Sequence, residues 1–349
     1  MQHTSLSEIS EFELITKLTQ NFPVYHSQTQ KTVGDDCAVV SLGESKAQVI
    51  TTDLLVEHIH FDLMYHPAKH LGYKAVTTNL SDVYAMNAIP TGIVVGIAIP
   101  KYLSIEFIEE IYQGIRLACQ RYQIDLLGGD TTYSPNYLMI SITAVGLAQP
   151  EKISYRSGAN LNDLICVSGN LGAAYAGLQI LQREKQVFLQ NNDIQPVLSE
   201  FSYVISRQLR PEARKEIVER LEELNITPTA MIDISDGLSN EIHHICAASH
   251  AGAVLYADRI PIDTETTKVA ELFDISPITY ALNGGEDYEL LFTVPLSDYE
   301  KIQHDEKIQI IGAIKNLEDG IILETDIGEQ IPIEPLGFNH FKKNTNSSE

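Results

Sequence analysis

Short apolar runs alternate with longer helical patterns along this chain, and the alternation occurs twice. In the first half, QVITTDLLV (48–56) and GIVVGIAI (92–99) have the composition of strands, and the segment 67–88 between them has a helical pattern. A chain with this alternation folds into sheets that are covered by helices. We therefore predict an α/β (α+β) protein whose first α/β unit covers 35–150.

A polar, turn-rich stretch at 149–163 separates this unit from a second one, which starts with a strand at 164–169. The chain has 349 residues, more than a single hydrophobic core usually holds. We predict an N-terminal domain over 1–150, a C-terminal α/β domain over 151–341 and a disordered tail over 342–349.

The net charge, the absence of long apolar runs and the cysteine spacing argue against a nucleic-acid-binding, membrane or disulfide-bonded protein. A formal net charge of −23 at pH 7 repels nucleic acid and anionic lipid. No run approaches the ~18 apolar residues of a membrane span, and the start lacks the features of a signal peptide. Four widely spaced cysteines suit reduced thiols rather than disulfides. We predict a cytoplasmic protein that binds neither nucleic acid nor membrane.

Six acidic segments lie beside Gly, Ser or Thr at the predicted ends of strands and helices. They are GDD (34–36), TTD (51–53), NLSD (79–82), GGDTT (128–132), DISDG (233–237) and GGED (284–287). Any one of them alone is typical of a turn or a helix cap. As a set they indicate a ligand site, because ligands in open α/β sheets gather at the carboxyl ends of strands.

The predicted elements place these acids in defined positions. Thr52 and Asp53 end an apolar strand, and Asp130 follows a short strand, IDLL, through two glycines that allow close approach to a ligand. Asn79 and Asp82, three residues apart, share one face of a helix. We expect these side chains to point toward a common site.

In the second half, Asp233 ends the strand-like AMID, and 235–237 opens a helix whose N-terminal dipole attracts anions. Converging carboxylates repel one another unless cations lie between them. Oxygen ligands from Asp, Thr and water suit Mg²⁺, which can bridge carboxylate and phosphate. The set therefore predicts a magnesium-dependent, kinase-like site.

Neither common nucleotide-kinase design is present in the sequence. There is no Gly-x-x-x-x-Gly-Lys-[Ser/Thr] and no His-Arg-Asp catalytic loop. Phosphoryl transfer depends mainly on alignment and on neutralised charge, which several Mg²⁺ ions held by Asp side chains could supply.

Taken in order, the motifs resemble those of thiamine-monophosphate kinases. They are GDDCA (34–38), TTD (51–53) followed by His60-Phe61, NLSD (79–82), GGDTT (128–132), RSGA (156–159), DISDGL (233–238) and GGEDYEL (284–290). The likeness extends from about residue 8 to residue 341, and seven motifs in this order are highly specific. The chain therefore also resembles members of the wider superfamily that includes aminoimidazole ribonucleotide synthetase and selenophosphate synthetase.

The resemblance implies an enzyme that uses ATP and several Mg²⁺ ions to phosphorylate thiamine monophosphate to thiamine diphosphate. It implies a homodimer in which the N-terminal mixed sheets pair into a shared β-barrel, with a C-terminal α/β domain packed against each. ATP would lie in the cleft between the domains, and its γ-phosphate would pass directly to the substrate without a phosphoenzyme.

By matching motif positions, the resemblance also assigns side chains to three roles. The magnesium ligands would be Asp36, Thr51, Thr52, Asp53, Asp82, Asp130, Asp233 and Asp236. The nucleotide would contact Tyr112, Gly129, Asp130, Arg156 and Ser235. The thiamine end would meet His60, Glu286 and Phe338, and an aromatic face and a carboxylate are suitable neighbours for the cationic thiazolium ring.

Some residues depart from the family pattern. His58 and His60 alternate on the predicted strand and would point the same way, a spacing that alone suggests a zinc pair, although no third ligand is obvious. The polar segment 184–200 has the composition of an insertion, and we assign no contacts to it.

Three other functions stay open at this point. The chain could be a superfamily relative that phosphorylates another small phosphorylated substrate. It could be a metal-dependent phosphatase, because clustered Asp residues with two or more metals also suit hydrolysis. It could also be an inactive nucleotide-binding dimer, which would be stabilised by ATP without turnover.

Overall fold

The computed structural model describes residues 9–191, 195–196 and 198–336, and strands alternate with helices in both halves. The first half contains α1 (Glu11–Thr19), β1 (Thr29–Lys31), β2 (Ala38–Ser41), β3 (Ala47–Val56), α2 (Ala68–Ala85), β4 (Ile89–Pro100), α3 (Ile105–Tyr122), β5 (Asp125–Ser134) and β6 (Met139–Ala148). The second half contains β7 (Leu164–Ser168), α4 (Ala173–Gln190), α5 (Ser202–Leu209), α6 (Lys215–Glu223), β8 (Ala230–Asp233), α7 (Leu238–Ser249), β9 (Gly252–Tyr256), α8 (Thr264–Leu272), α9 (Pro277–Asn283), β10 (Leu290–Val294), α10 (Tyr299–Ile302), β11 (Ile308–Lys315), β12 (Ile321–Glu324) and β13 (Gln330–Pro332). The predicted mixed α/β class is confirmed.

The first half forms a six-stranded mixed sheet in the order β1-β2-β3-β6-β4-β5. Its neighbouring strands are antiparallel except for β4 and β5, which run parallel. Helix α2 packs against one face, and alternate residues of β4, such as Ile93, Val95 and Ile97, are buried there. On the opposite face Leu54 and Val94 are exposed, so this face of the sheet is open in the single chain.

Helix α2 is buried on nearly all sides, because it packs against the sheet, α3 and the second half. Two glycines permit its close contact with α3. A Cβ atom at Gly72 would lie 1.9 Å from the backbone oxygen of Ile111, and one at Gly114 would lie 1.9 Å from that of Lys69. The buried position of α2 allows its polar side chains to reach both halves of the chain.

The second half forms a seven-stranded sheet in the order β13-β12-β9-β11-β7-β10-β8, in which β9 and β12 are the parallel pair. All residues of β7 and β10 are buried. One buried apolar cluster contains Ile142 of the first sheet and Phe292 of the second, so the two halves share packed core. The predicted division at residue 150 stays a prediction.

The strand predicted over 48–56 is present as β3, which ends at Val56. The sequence places Asp53 at the end of this strand, but it lies within it, because β6 pairs with β3 over its whole length. The predicted end of the next strand after α3 is wrong. Strand β5 continues through Gly128 and Gly129 to Ser134, because its pairing with β4 does not stop at the glycines. A Cβ at Gly129 would lie 2.1 Å from the backbone oxygen of Val95, so the glycine serves this close pairing.

Other expectations fall partly outside the described residues. The pattern of Phe12, Ile15 and Leu18 predicts a leading helix over 1–22, of which the structure has Glu11–Thr19, while 1–8 lie outside the described residues. The first residues of the polar segment 184–200 continue helix α4 to Gln190, while 192–194 and 197 lie outside the described residues, as does the tail 342–349. None of the described helices is long and apolar enough to span a lipid bilayer.

Candidate active site

A cleft of about 1270 Å³ opens between the two halves. Its walls include β3, α2 and the segment after β3 from the first half, and α4, the β8–α7 turn and the segment 284–288 from the second half. Eleven of the predicted site residues line it, namely Asp36, Thr51, Thr52, Asp53, His60, Asp82, Arg156, Asp233, Ser235, Asp236 and Glu286, and Asp35 of the same GDD motif lines it as well. The acids of both halves therefore meet in one cavity.

Asp36, Asp82 and Asp233 form the centre of this site, and we refer to them as the acidic cluster. One carboxylate oxygen of each lies within 4.8 Å of those of the other two. Asp36 precedes β2, Asp82 lies on α2, and Asp233 ends β8. Side chains that are far apart in sequence are thus brought to the spacing at which they could share a metal ion.

Hydroxyl and amide groups near the end of α2 fix the positions of these carboxylates. The Thr51 hydroxyl donates to Asp82 Oδ2 at 2.6 Å, and the Ser81 hydroxyl donates to Asp233 Oδ2 at 2.6 Å. The backbone N–H of Asp53 donates to Asn79 Oδ1 at 3.0 Å. The last turns of α2 therefore connect β3 to β8 across the cleft.

Arg156 supplies a positive charge to the acidic cluster. Its Nη2 and Nε donate to Asp36 Oδ1 at 2.5 Å and 3.2 Å, and its backbone N–H donates to Asp35 Oδ1 at 3.1 Å. The other oxygen of Asp36, Oδ2, is buried and has no hydrogen-bond partner among the described residues. One side of Asp36 is thus neutralised, while the other is free to bind a cation.

Burial and repulsion raise the pKa values of the clustered carboxyls. Burial raises the pKa of Asp36 to about 7, although Arg156 opposes the rise. Burial, reinforced by the charge of Asp53, raises the pKa of Asp233 to about 6 despite the opposing Ser81 and Arg156, and burial raises that of Asp53 to about 6. The pKa of Asp82 is well above its usual range because of burial and the neighbouring acids. The single positive charge of Arg156 does not balance the three carboxylates of the cluster, and their buried oxygen donors fit a hard divalent cation.

The turn after β8 presents Ser235 and Asp236 to the same cleft. Glu241 Oε1 accepts hydrogen bonds from the backbone N–H groups of Ser235 at 3.1 Å and Asp236 at 2.8 Å. Glu241 is buried in the first turn of α7, and our sequence reasoning missed it. An acid just after a predicted helix start is a signal for such a cap and could have identified it.

The two histidines do not form the zinc pair that their spacing suggests. The chain leaves β3 at Val56, and His58 adopts a φ of 67°, so the two side chains are not on one strand. The rings of His58 and His60 have separate neighbours, because His58 Nδ1 lies 3.5 Å from Asp62 Oδ2, whereas His60 Nδ1 accepts from the backbone N–H of Val56. Among the described residues, the acidic cluster is the group of three or more potential ligands that reaches metal spacing.

Tyr112, Gly129 and Asp130 do not line the cleft of their own chain. Asp130 pairs with Gly96, Gly96 with Ser141, and Ser141 with Leu54. Three strand spacings therefore place Asp130 about 14 Å from β3. Tyr112 lines other cavities on α3, one of them about 490 Å³ in volume. Phe338 lies outside the described residues.

Thr51 and Thr52 point to opposite faces of β3, because side chains alternate along a strand. The Thr51 hydroxyl reaches Asp82 beneath α2. The Thr52 hydroxyl instead donates to the backbone oxygen of Ile142 at 3.1 Å and accepts from Thr143. The acidic cluster therefore has Thr51 as a neighbour, while Thr52, although it contributes to the cleft wall, directs its hydroxyl toward the open face of the sheet.

Comparisons with known proteins identify the family. Residues 34–148 match the family model of AIR synthase related protein, N-terminal domain. The chain is 32% identical to the thiamine-monophosphate kinase of Bacillus subtilis, over 96% of this chain and 100% of the relative. It is 36% identical to that of Buchnera aphidicola subsp. Schizaphis graminum, over 96% of this chain and 99% of the relative.

A solved structure, described as AaThiL complexed with AMPPCP and TMP, has the same fold, with a TM-score of 0.84 and 31% identity. The match covers 98% of this chain and 100% of the solved chain. The family predicted from the seven motifs is confirmed, and the chain belongs to the thiamine-monophosphate kinase family.

Proposed function

We propose that this chain phosphorylates thiamine monophosphate to thiamine diphosphate with ATP as the phosphoryl donor. The names of its relatives and the AMPPCP and TMP of the solved structure support this reaction. The observation that carries the proposal is the acidic cluster, in which carboxylates of both halves meet at 4.8 Å or less in a cleft of about 1270 Å³. A phosphate can enter such an acidic site only with cations.

The residues that fit Mg²⁺ are Asp36, Asp82 and Asp233, with Asp53, Thr51 and Asp236 next to them. The buried, unpartnered Oδ2 of Asp36 supports this assignment. Bound Mg²⁺ supplies charge neutralisation and orientation of the phosphates. Thr51 and Ser81 orient two of the carboxylates, and Arg156, the cation already present beside Asp36, is placed to fork onto a phosphate oxygen.

Direct in-line transfer between the two substrates is sufficient for this reaction, because alignment and neutralised charge supply most of the catalysis. The backbone hydrogen bonds from Ser235 and Asp236 to Glu241 keep the β8–α7 turn directed at the cleft, beside the acidic cluster. The chain's own contribution is thus to hold donor and acceptor phosphates in line.

We further infer a homodimer in which the open sheet faces of two copies form a shared barrel. Strand β5 is an edge strand of ten residues with exposed Leu126, Leu127 and Tyr133, and unpaired edges of this kind favour pairing with another chain. Because Asp130 lies about 14 Å from β3 in its own chain, we assign Tyr112, Gly129 and Asp130 to the nucleotide site of the second copy.

The cytoplasm is the location that this chemistry favours, since ATP is abundant there and all four cysteines are free. Thiamine diphosphate formation would then be the biosynthetic role of the protein in that compartment.

The test is an assay of ADP formation with ATP and Mg²⁺, with and without thiamine monophosphate. We expect ADP to form only when thiamine monophosphate is present, with one thiamine diphosphate for each ADP. Release of inorganic phosphate from thiamine monophosphate without ATP would instead identify a phosphatase. ADP formation that ignores thiamine monophosphate but responds to another phosphorylated metabolite would indicate a superfamily relative with a different substrate.

A further inference from the structure

Lys74 is a fully buried lysine in the middle of α2. Its Nζ lies 2.8 Å from Glu286 Oε1 and donates to the backbone oxygen of Gln208 at 3.4 Å. Within the described chain, Glu286 is the carboxylate that forms an ion pair with it. Burying an ammonium group costs free energy of folding unless the group is paired and hydrogen-bonded. Packing alone therefore does not explain why a lysine occupies this position.

Glu286 is held from several directions. The side-chain amide of Gln208, itself 3% exposed, donates to Glu286 Oε2 at 2.7 Å, while Lys74 holds Oε1. The backbone of Glu286 adopts a φ of 57°, which is unusual for a residue other than glycine, and its N–H donates to the backbone oxygen of Ser235 at 2.6 Å. Main chain and carboxylate are therefore both fixed.

The carboxylate that Lys74 holds faces the cleft. The side chain of Glu286 is 27% exposed and lines the cavity that contains the acidic cluster. Lys74 lies eight residues before Asp82 on α2, a spacing that puts both on the same side of the helix. One buried helix thus supports the metal end of the cleft and, about two turns away, the position of Glu286.

We propose that Lys74 is a positioning residue that fixes and neutralises the carboxylate of Glu286, so that Glu286 selects an N–H donor on the substrate rather than a positive charge. The inference rests on the proposed function and on the expectation from the family resemblance that Glu286, which lines the cleft, meets thiamine monophosphate. Because the pair Lys74–Glu286 carries no net charge, it attracts the cationic thiazolium ring weakly. A fixed acceptor suits the amino group of the pyrimidine ring, which carries N–H donors.

The test compares Lys74→Met, Glu286→Gln and the double variant with the wild type, measuring KM for thiamine monophosphate and for ATP. We expect Lys74→Met to raise the KM for thiamine monophosphate about tenfold and the KM for ATP less than about twofold. In the Glu286→Gln background, Lys74→Met should change the KM by less than about twofold, because Lys74 acts through Glu286. Equal rises for both substrates, or an undiminished effect in that background, would overturn the proposal.

Two further variants guard against misfolding and against a general charge effect. Gln208→Met removes the second support of Glu286 while the ion pair stays in place, and it should raise the KM for thiamine monophosphate selectively. It keeps the test valid if Lys74→Met does not fold. Lys152→Met removes a lysine that pairs with Glu222 outside the cleft, so neither KM should change.

A separate experiment uses the analogue of thiamine monophosphate in which hydrogen replaces the pyrimidine amino group, so that this N–H donor is absent. The wild type should prefer the amine in kcat/KM by about tenfold or more, and Lys74→Met and Glu286→Gln should lose that preference. Equal use of both compounds by the wild type would overturn the assignment of an N–H donor. No turnover of thiamine monophosphate by the wild type is a different result, which would refute the proposed function itself.

Discussion

Ser81 and Asp233 lie 152 positions apart, in different halves of the chain, and the Ser81 hydroxyl donates a 2.6 Å hydrogen bond to the Asp233 carboxylate. Both residues are buried. The bond connects the last turns of α2 to the end of β8 at the acidic cluster. The proposed metal site therefore exists only when the two halves are packed together, so stability and Mg²⁺ binding should be linked.

Replacing Ser81 with Ala tests this link. The change leaves a buried carboxylate oxygen of Asp233 without its donor, which should lower the free energy of unfolding by about 1–3 kcal/mol. It should also weaken the stabilisation by Mg²⁺ in a thermal unfolding assay. Ser239→Ala is a matched control, because Ser239 is equally buried and donates to Asn283 away from the cluster. A similar loss of the Mg²⁺ response in both variants would contradict this account.

Asp130 tests the contribution of a second copy. Because Asp130 is exposed on the edge strand β5, Asp130→Asn should leave the unfolding temperature unchanged and abolish turnover. Mixing this variant with Asp233→Asn should restore up to about a quarter of the wild-type activity, since half of the dimers would each carry one intact site.

The control for that experiment mixes Asp36→Asn with Asp233→Asn. Both residues belong to the same cleft, so no intact site can form and no activity should return. If the Asp130→Asn and Asp233→Asn mixture also stays inactive after subunit exchange, Asp130 does not act across a dimer.

Mg²⁺ affinity should rise with pH. Burial raises the pKa of Asp36 to about 7 and those of Asp53 and Asp233 to about 6, above the values of unfolded carboxyls. The metal-free folded protein then binds more protons than the unfolded chain between about pH 4 and pH 7, so these groups lower its stability as pH rises through that window. Mg²⁺ requires the deprotonated carboxylates, and its binding should reverse this loss.

Calorimetric titration with Mg²⁺ at about pH 6 and about pH 8 checks this sign: we expect tighter binding at about pH 8 and more proton release on binding at about pH 6. Asp36→Asn should flatten the pH dependence because it removes the carboxyl whose pKa lies nearest neutrality. The same Mg²⁺ affinity at both pH values in the wild type would be inconsistent with a site made of these acids.

The fold class and the central acids could be predicted from the sequence, since local patterns determine them. The spacing of Asn79 and Asp82 on a helix and the strand end at Asp233 are short-range features, and the structure has both. The position of Asp130 could not be predicted in the same way. Its position depends on the pairing of β5 with β4, which continues through two glycines. Because two adjacent glycines usually indicate a turn, the sequence predicts the end of the strand there instead.

Lys74 and Glu241 are two residues near the site that we did not identify from the sequence. A lysine on a helix is usually exposed, so nothing local predicts that the packing of the second half against α2 buries Lys74 completely. A partial signal existed, because Lys74, Thr78 and Asp82 follow one another at four-residue intervals and share a face of α2. Residues on the same helix face as a site acid therefore merit attention before a structure is known.

The most direct test of the central claim measures Mg²⁺ binding, in the presence of a non-hydrolysable ATP analogue, by the wild type and by variants from each half. Asp36→Asn and Asp233→Asn should each weaken Mg²⁺ binding about tenfold or more, and the double variant should be little worse than either, because the residues act as one site. Unchanged Mg²⁺ binding in either single variant would contradict a site built jointly by the two halves.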